Sequence, residues 1–172
     1  NDLSDSAIFA QVAAQIDLNE FSNYVILRAF IGYQIADLNN RYWRNRDTDG
    51  KWRWIAADLE HAFGQLGGDP VSEYTIAKLA GLSGDLPEWA TLLFNRLLQN
   101  PGFRDDFIQR SAAYLNTISQ PSVTLATVDS LKNLLQTQMP RHIGRWQSPP
   151  SLQAWQGNIN AVKGFLEQRP AY

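Results

Sequence analysis

Apolar residues recur every three or four positions through most of this chain, which is the spacing of helices that bury one face. The pattern predicts a first helix within residues 6–16. A second helix is expected to begin at a capping box, in which Asp17 caps the helix and Glu20 follows three residues later. A short helix is expected within residues 71–82. Prolines mark the starts of the later helices, at Pro87, Asn100-Pro101, Pro121 and Pro149-Pro150-Ser151. Met139-Pro140 is expected to end the helix that begins at Pro121.

The period changes to two between residues 42 and 56, as is typical of β-strands. Two aromatic stretches, 42–46 and 51–56, flank a turn at residues 47–50, and the Asp-Gly pair in that turn tolerates positive φ. The period-two rule places these side chains on one face: Trp52, Trp54 and Ala56. The predicted fold class is therefore mainly α (α+β), with one β-hairpin among helices.

Composition changes this picture little but excludes several function classes. A length of 172 residues with 44% apolar content predicts a single domain, residues 1–172, with a packed core. Fifteen basic and seventeen acidic side chains give a net charge of −2, so we expect no nucleic-acid partner. No apolar run approaches the roughly 20 residues of a membrane span. The chain begins at Asn1 rather than Met, so we expect it to be part of a longer protein.

Metal and phosphate motifs of the common kinds are not found in the sequence. The chain has no cysteine, which excludes disulfides, thiolate zinc sites and cysteine nucleophiles. Its two histidines, His61 and His142, are too few and too far apart in sequence to favour a zinc site. The glycine-rich stretch at residues 64–70 lacks the order of a phosphate loop and is interpreted as a connector.

Polar residues on both sides of the hairpin are the strongest candidates for chemistry. Asn39 and Asn40 precede it, and Asp58 and Glu60 follow it, so the hairpin would bring the two pairs together. Amide and carboxylate oxygens are suitable ligands for Mg²⁺, and protein kinases hold their metal ions with an Asn and an Asp. The order predicts a metal site at these four residues. The competing interpretation makes the asparagines turn formers and Asp58 a helix cap.

Several longer stretches, in this order, also resemble a known family. They are residues 17–24 (DLNEFSNY), 38–44 (LNNRYWR), 50–64 (GKWRWIAADLEHAFG), 97–104 (LLQNPGFR), 139–143 (MPRHI) and 145–146 (RW). Together they resemble the CotH kinase family of spore-coat proteins, over most of the chain.

The resemblance implies an atypical protein-kinase-like fold that uses ATP and Mg²⁺ to phosphorylate proteins. What matches is the helical carboxy-terminal lobe, while an amino-terminal lobe with an ATP-contacting lysine is not evident before Asp17. The family's settings imply a protein substrate or a coat or surface partner, and a location outside the cytoplasm, at the cell or spore surface.

Two departures from the family pattern bear on catalysis. The position of the usual catalytic acid, five residues before Asn40, holds Ile35, so Asp37 becomes the candidate base in a shifted loop. The family's Trp-Asp-Leu-Asp is replaced by Ala-Asp-Leu-Glu at residues 57–60, in which Asp58 remains a candidate Mg²⁺ ligand and Glu60 the second carboxylate.

Three functions remain open at the level of sequence. The first is an active kinase lobe, and the second is a kinase-like domain that has lost phosphoryl transfer and serves surface or coat assembly. The third is a ligand-binding module, including carbohydrate binding through Trp43, Trp52 or Trp54. Hairpin tryptophans more often pack on a neighbouring helix than on a sugar.

Overall fold

The computed structural model of the chain describes residues 2–33, 41–65 and 68–172. It confirms the mainly α prediction, because the described residues form helices and a two-stranded antiparallel hairpin. The helices are α1 (Ser6–Ala13), α2 (Leu18–Phe30), α3 (Thr75–Leu79), α4 (Glu88–Leu97), α5 (Pro101–Leu115), α6 (Pro121–Leu135), α7 (Met139–Trp146) and α8 (Leu152–Gln168), with a 3-10 turn at Arg169–Ala171. The strands are β1 (Arg41–Trp43) and β2 (Arg53–Ile55).

The predicted helix starts follow from local capping. The Asp17 carboxylate accepts a hydrogen bond from the backbone N–H of Glu20 over 3.2 Å, which confirms the cap of α2. The side chain of Asn100 accepts from the N–H of Phe103 over 3.1 Å at the start of α5. Ser151 caps α8 through a 3.0 Å hydrogen bond from the N–H of Ala154.

Two helix boundaries differ from the prediction. Helix α1 ends at Ala13 because Ile16 leaves the helix and forms a parallel bridge with Trp52. The interpretation of Met139-Pro140 as a helix end is wrong, since both residues open α7. Proline is compatible with the first turn of a helix, where its missing N–H would have no intrahelical partner.

The chain contains two compact units, Asn1–Ala113 and Tyr114–Tyr172. The single-domain organisation of residues 1–172 stays a prediction. In the first unit, α2 packs against α3 and β2, and α3 packs against α4. A series of buried rings joins these helices to α5, with centroids 6.3 Å apart for Phe21 and Phe94 and 4.9 Å apart for Phe94 and Phe107. In the second unit, α8 packs against α6 and α7, and its buried side chains include Phe165 and Leu166.

The hairpin lies on α2. Its strands pair in the register Arg41↔Ile55, Tyr42↔Trp54 and Trp43↔Arg53, so both are shorter than the aromatic stretches that predict them. Trp54 faces α2, with its ring centroid 4.7 Å from that of Phe21. Trp43 has the guanidinium carbon of Arg53 5.6 Å from its ring centroid. Because neighbouring strand residues alternate in direction, Trp43 lies on the face opposite to Trp54.

Candidate functional site

The structure describes one half of the predicted metal site. Asp58 and Glu60 lie in the segment that follows β2, and both are exposed. Asp37, Asn39 and Asn40 lie outside the described residues, as does Ile35.

Asp58 has an unusual backbone conformation. Its φ is +58°, in the left-handed region that only a few per cent of non-glycine residues adopt. Such conformations cost about 1–3 kcal/mol, persist where the surrounding structure imposes them, and cluster at functional sites; Phe63 and Gln147 share this conformation. The Asp58 carbonyl oxygen accepts a hydrogen bond from the hydroxyl of Tyr33 over 3.1 Å. The backbone is thus held while the side chain is exposed to solvent.

Glu60 and His61 add two polar groups close to Asp58 in sequence. The distance from His61 Nε2 to Glu60 Oε1 is 3.9 Å, too long for a hydrogen bond. The part of the chain that the structure describes holds no group of three or more His, Cys, Asp or Glu side chains that would bind a metal. Mg²⁺ keeps several waters and needs only one or two carboxylates. The exposed oxygen donors of Asp58 and Glu60 therefore fit a hydrated Mg²⁺ better than a metal enclosed by protein ligands.

Backbone hydrogen bonds tie the end of α2 to the chain beyond Asp58. The N–H of Phe63 donates to the carbonyl of Ile31 over 2.7 Å, and the N–H of Asp69 donates to the carbonyl of Gly32 over 2.9 Å. Ile31, Tyr33 and Ala62 form a buried cluster at this junction. The residues on either side of Asp58 and those before residue 34 therefore belong to one packed unit.

The side chain of Asp69 anchors this junction. It is 1% exposed and accepts hydrogen bonds from Thr75 Oγ1 over 2.7 Å and from Lys78 Nζ over 2.8 Å. The bond with Asp69 raises the pKa of Lys78 above its usual range, against a smaller opposing effect of burial. The sequence interpretation of residues 64–70 as a connector missed this role. No local motif marks a carboxylate whose partners lie six and nine residues later.

Gly68 is required where this segment passes residue 61. A Cβ at Gly68 would lie 1.9 Å from the backbone carbonyl oxygen of His61, closer than any side chain tolerates. The glycine allows the two backbone segments to touch.

The family model described as CotH kinase protein matches residues 1–172. The chain belongs to the CotH kinase family. Membership assigns it a kinase-like domain. No curated protein and no solved structure matches it significantly. None of the helices described in this CotH kinase chain is long and apolar enough to cross a membrane.

This CotH family chain also contains an aromatic cavity of about 500 Å³ between α2, the hairpin and helices α3 and α4. Trp52 and Trp54 line it, whereas Trp43 does not. Trp89 lines it as well and is 63% exposed. The buried Arg28 is also part of the lining, and its guanidinium carbon lies 5.3 Å from the ring centroid of Tyr24.

Proposed function

We propose that this chain is the carboxy-terminal lobe of a CotH-like protein kinase, which transfers phosphoryl groups from ATP to a protein with the help of Mg²⁺. One observation carries the proposal within a chain of this family. Asp58 presents an exposed carboxylate immediately after the hairpin, from a left-handed backbone that its surroundings hold in place. Phosphoryl transfer depends mainly on positioning and on charge stabilisation, so a carboxylate carried on a held backbone at this point suits the reaction.

The residues proposed to hold Mg²⁺ are Asn40 and Asp58, with Asn39 and Glu60 beside them. When bound, the ion neutralises charge on the phosphates of ATP. The protein's own contribution is to keep the ligand oxygens in place, which the bonds around Asp58 favour on the carboxylate side.

Asp37 is the proposed base that accepts the proton of the substrate hydroxyl, because Ile35 at the usual position cannot do so. The proposed substrate is a coat or surface protein outside the cytoplasm, at the cell or spore surface. The competing proposal is a kinase-like domain without catalysis that takes part in the assembly of such proteins.

The test uses the full-length protein that contains this chain, with labelled ATP, Mg²⁺ and candidate coat proteins. We expect Asp58→Asn and Asp37→Asn each to lower the rate of phosphate transfer by roughly 100-fold or more. Asp47→Asn is the matched control, because Asp47 is exposed in the hairpin turn. Activity that survives Asp58→Asn would refute the metal role, and activity that survives Asp37→Asn would refute the base. A wild-type protein that binds Mg²⁺ and ATP without transfer would favour the assembly role.

The aromatic cavity favours a second candidate function, the binding of a carbohydrate. Sugars stack their C–H faces on tryptophan and tyrosine rings, and Trp89 and Tyr42 line the cavity with 63% and 61% of their surfaces exposed. A volume of about 500 Å³ lies within the range of small-ligand sites. A glycan array would test this, with Trp89→Ala expected to abolish binding. Trp43→Ala, on the other face of the hairpin, is the matched control, and a blank array would eliminate the function.

A further inference from the structure

The left-handed backbone of Asp58 is stabilised by a specific contact. Asp adopts this conformation more often than most residues that carry a Cβ, but the conformation is still less favourable than the right-handed one. The hydroxyl of Tyr33 donates a hydrogen bond to the backbone carbonyl oxygen of Asp58 over 3.1 Å. No other described side chain donates to this carbonyl. The conformation of Asp58 is therefore linked to a tyrosine 25 residues earlier.

Tyr33 is itself fixed, so it can impose a position on Asp58. It is 3% exposed and packs with Ile31 and Ala62. Its N–H donates to the carbonyl of Arg28 over 2.9 Å, and the guanidinium carbon of Arg28 lies 5.3 Å from its ring centroid. Backbone, ring and hydroxyl are each held by a different contact. Because Tyr33 is constrained in this way, its hydroxyl stays in place and determines where the Asp58 carbonyl lies.

The residues next to Tyr33 hold a different part of the chain. Ile31 and Gly32 bind the backbone of Phe63 and Asp69 and so hold the segment beyond Asp58. These bonds fix where the segment runs, but they lie five or more residues beyond Asp58. The direction in which the carboxylate of Asp58 points depends on its own φ and ψ, and the Tyr33 hydroxyl acts at that point.

We infer that Tyr33 is a positioning residue for the metal site, which sets the left-handed backbone of Asp58 and thereby aims its carboxylate at Mg²⁺. The inference rests on the proposed function, because it assigns Asp58 the role of metal ligand. Tyr33 touches neither metal nor substrate and acts through Asp58.

The test is a titration of the full-length protein with Mn²⁺, a spectroscopically visible substitute for Mg²⁺, in the presence of ATP. Tyr33→Phe removes the hydroxyl alone and keeps the ring, so the packing with Ile31 and Ala62 is retained. We expect it to weaken Mn²⁺ binding by about three- to tenfold, the usual worth of one neutral hydrogen bond. Tyr74→Phe is the matched control, since Tyr74 is 63% exposed, and it should leave binding unchanged.

A double-mutant cycle separates positioning from a general loss of stability. In an Asp58→Asn background, which removes the charge while keeping a residue that tolerates positive φ, Tyr33→Phe should have no further effect on Mn²⁺ binding. An equal effect of Tyr33→Phe with and without the Asp58 carboxylate would overturn the inference. So would wild-type Mn²⁺ affinity in Tyr33→Phe itself.

Failure of the proposed function gives a different result. If the wild-type protein bound no Mn²⁺, or Asp58→Asn bound it equally well, the metal role of Asp58 would be wrong and the role of Tyr33 with it. Hydrogen exchange on the wild-type protein covers the case in which Tyr33→Phe does not fold. Saturating Mn²⁺ should slow amide exchange in residues 28–33 as well as 56–63, and protection confined to 56–63 would contradict the inference.

Discussion

The guanidinium of Arg53 donates from Nε to Oδ2 of Asp17 over 3.0 Å, which joins strand β2 to the residue that caps α2. The same guanidinium donates to both carboxylate oxygens of Asp49 in the hairpin turn. One side chain thus connects the turn, the second strand and the start of the central helix. The backbone bridge between Ile16 and Trp52 runs beside it. The ion pair between Arg53 and Asp17 therefore holds the hairpin on α2, together with the ring contact between Trp54 and Phe21.

Removal of this connection should loosen the hairpin without unfolding the chain. We expect Arg53→Ala to lower the melting temperature by about 2–4 °C, because the ion pairs are partly exposed and solvent screens them. Differential scanning calorimetry at low and high salt would measure the effect, which should shrink at high salt. Arg46→Ala, an exposed arginine in the hairpin connection, should leave the melting temperature unchanged. Equal losses in both variants would show that the Asp17 and Asp49 contacts contribute nothing specific.

The Asp49–Arg53 pair predicts a pH dependence at the acidic end. The hydrogen bond from Arg53, with the N–H of Lys51 adding to it, lowers the pKa of Asp49 from 3.8 to about 2. A lowered pKa means that the pair stabilises the fold fully above about pH 4 and ceases to do so as the pH falls through about 2. Melting curves of wild type and Asp49→Asn between these pH values should therefore converge as acid is added. A difference in melting temperature that stays the same at every pH would contradict the lowered pKa of Asp49.

The buried pair of Asp69 and Lys78 should be far more important for stability. Lys78→Met leaves the Asp69 carboxylate, which is 1% exposed, without its cation, and we expect a loss of about 3 kcal/mol in the free energy of unfolding. Urea denaturation followed by tryptophan fluorescence would measure it. Asp85→Asn is the control, since Asp85 lies 3.9 Å from Lys78 and is 54% exposed, and it should cost less than about 0.5 kcal/mol. An unchanged free energy of unfolding in Lys78→Met would show that the hydrogen bond from Thr75 alone satisfies the Asp69 carboxylate.

Alanine substitutions at two glycines should change the stability of the protein in opposite directions. Gly68→Ala would push a Cβ to within 1.9 Å of the His61 carbonyl oxygen, so we expect a loss of about 1–3 kcal/mol from forced backbone movement. Gly157 lies in α8 with no atom within 4 Å of an added Cβ, and Gly157→Ala should stabilise the protein by about 0.5–1 kcal/mol. Both values come from urea denaturation. A stable Gly68→Ala protein would mean that the two segments separate easily.

Features fixed by neighbours a few residues away were predictable from the sequence. The cap at Asp17, the start of α8 at Ser151 and the hairpin turn with Gly50 at φ +64° all depend on contacts within three or four positions. The alternation that predicts one face for Trp52 and Trp54 is confirmed, since both line the same cavity.

What could not be predicted depends on residues that only the fold brings together. The early end of α1 follows from the bridge between Ile16 and Trp52, and no local pattern encodes that pairing. Nothing in the sequence distinguishes Tyr33 from the other aromatic residues, although its hydroxyl donates a hydrogen bond to the Asp58 carbonyl. The metal roles of Asn39 and Asn40 stay a prediction, because both residues lie outside the part of the chain that the structure describes.

The bond between Tyr33 and Asp58 closes the 24 residues between them into a loop whose two ends are held at one point. Residues 44–49 of this loop, in the hairpin turn, are exposed. Extra residues between Arg46 and Thr48 lengthen this turn at little entropic cost and leave the contact between Asp49 and Arg53 in place. The hairpin turn is therefore a place in the described part of the chain where a fluorescent tag or a fused domain can be inserted while the geometry of Asp58 is kept.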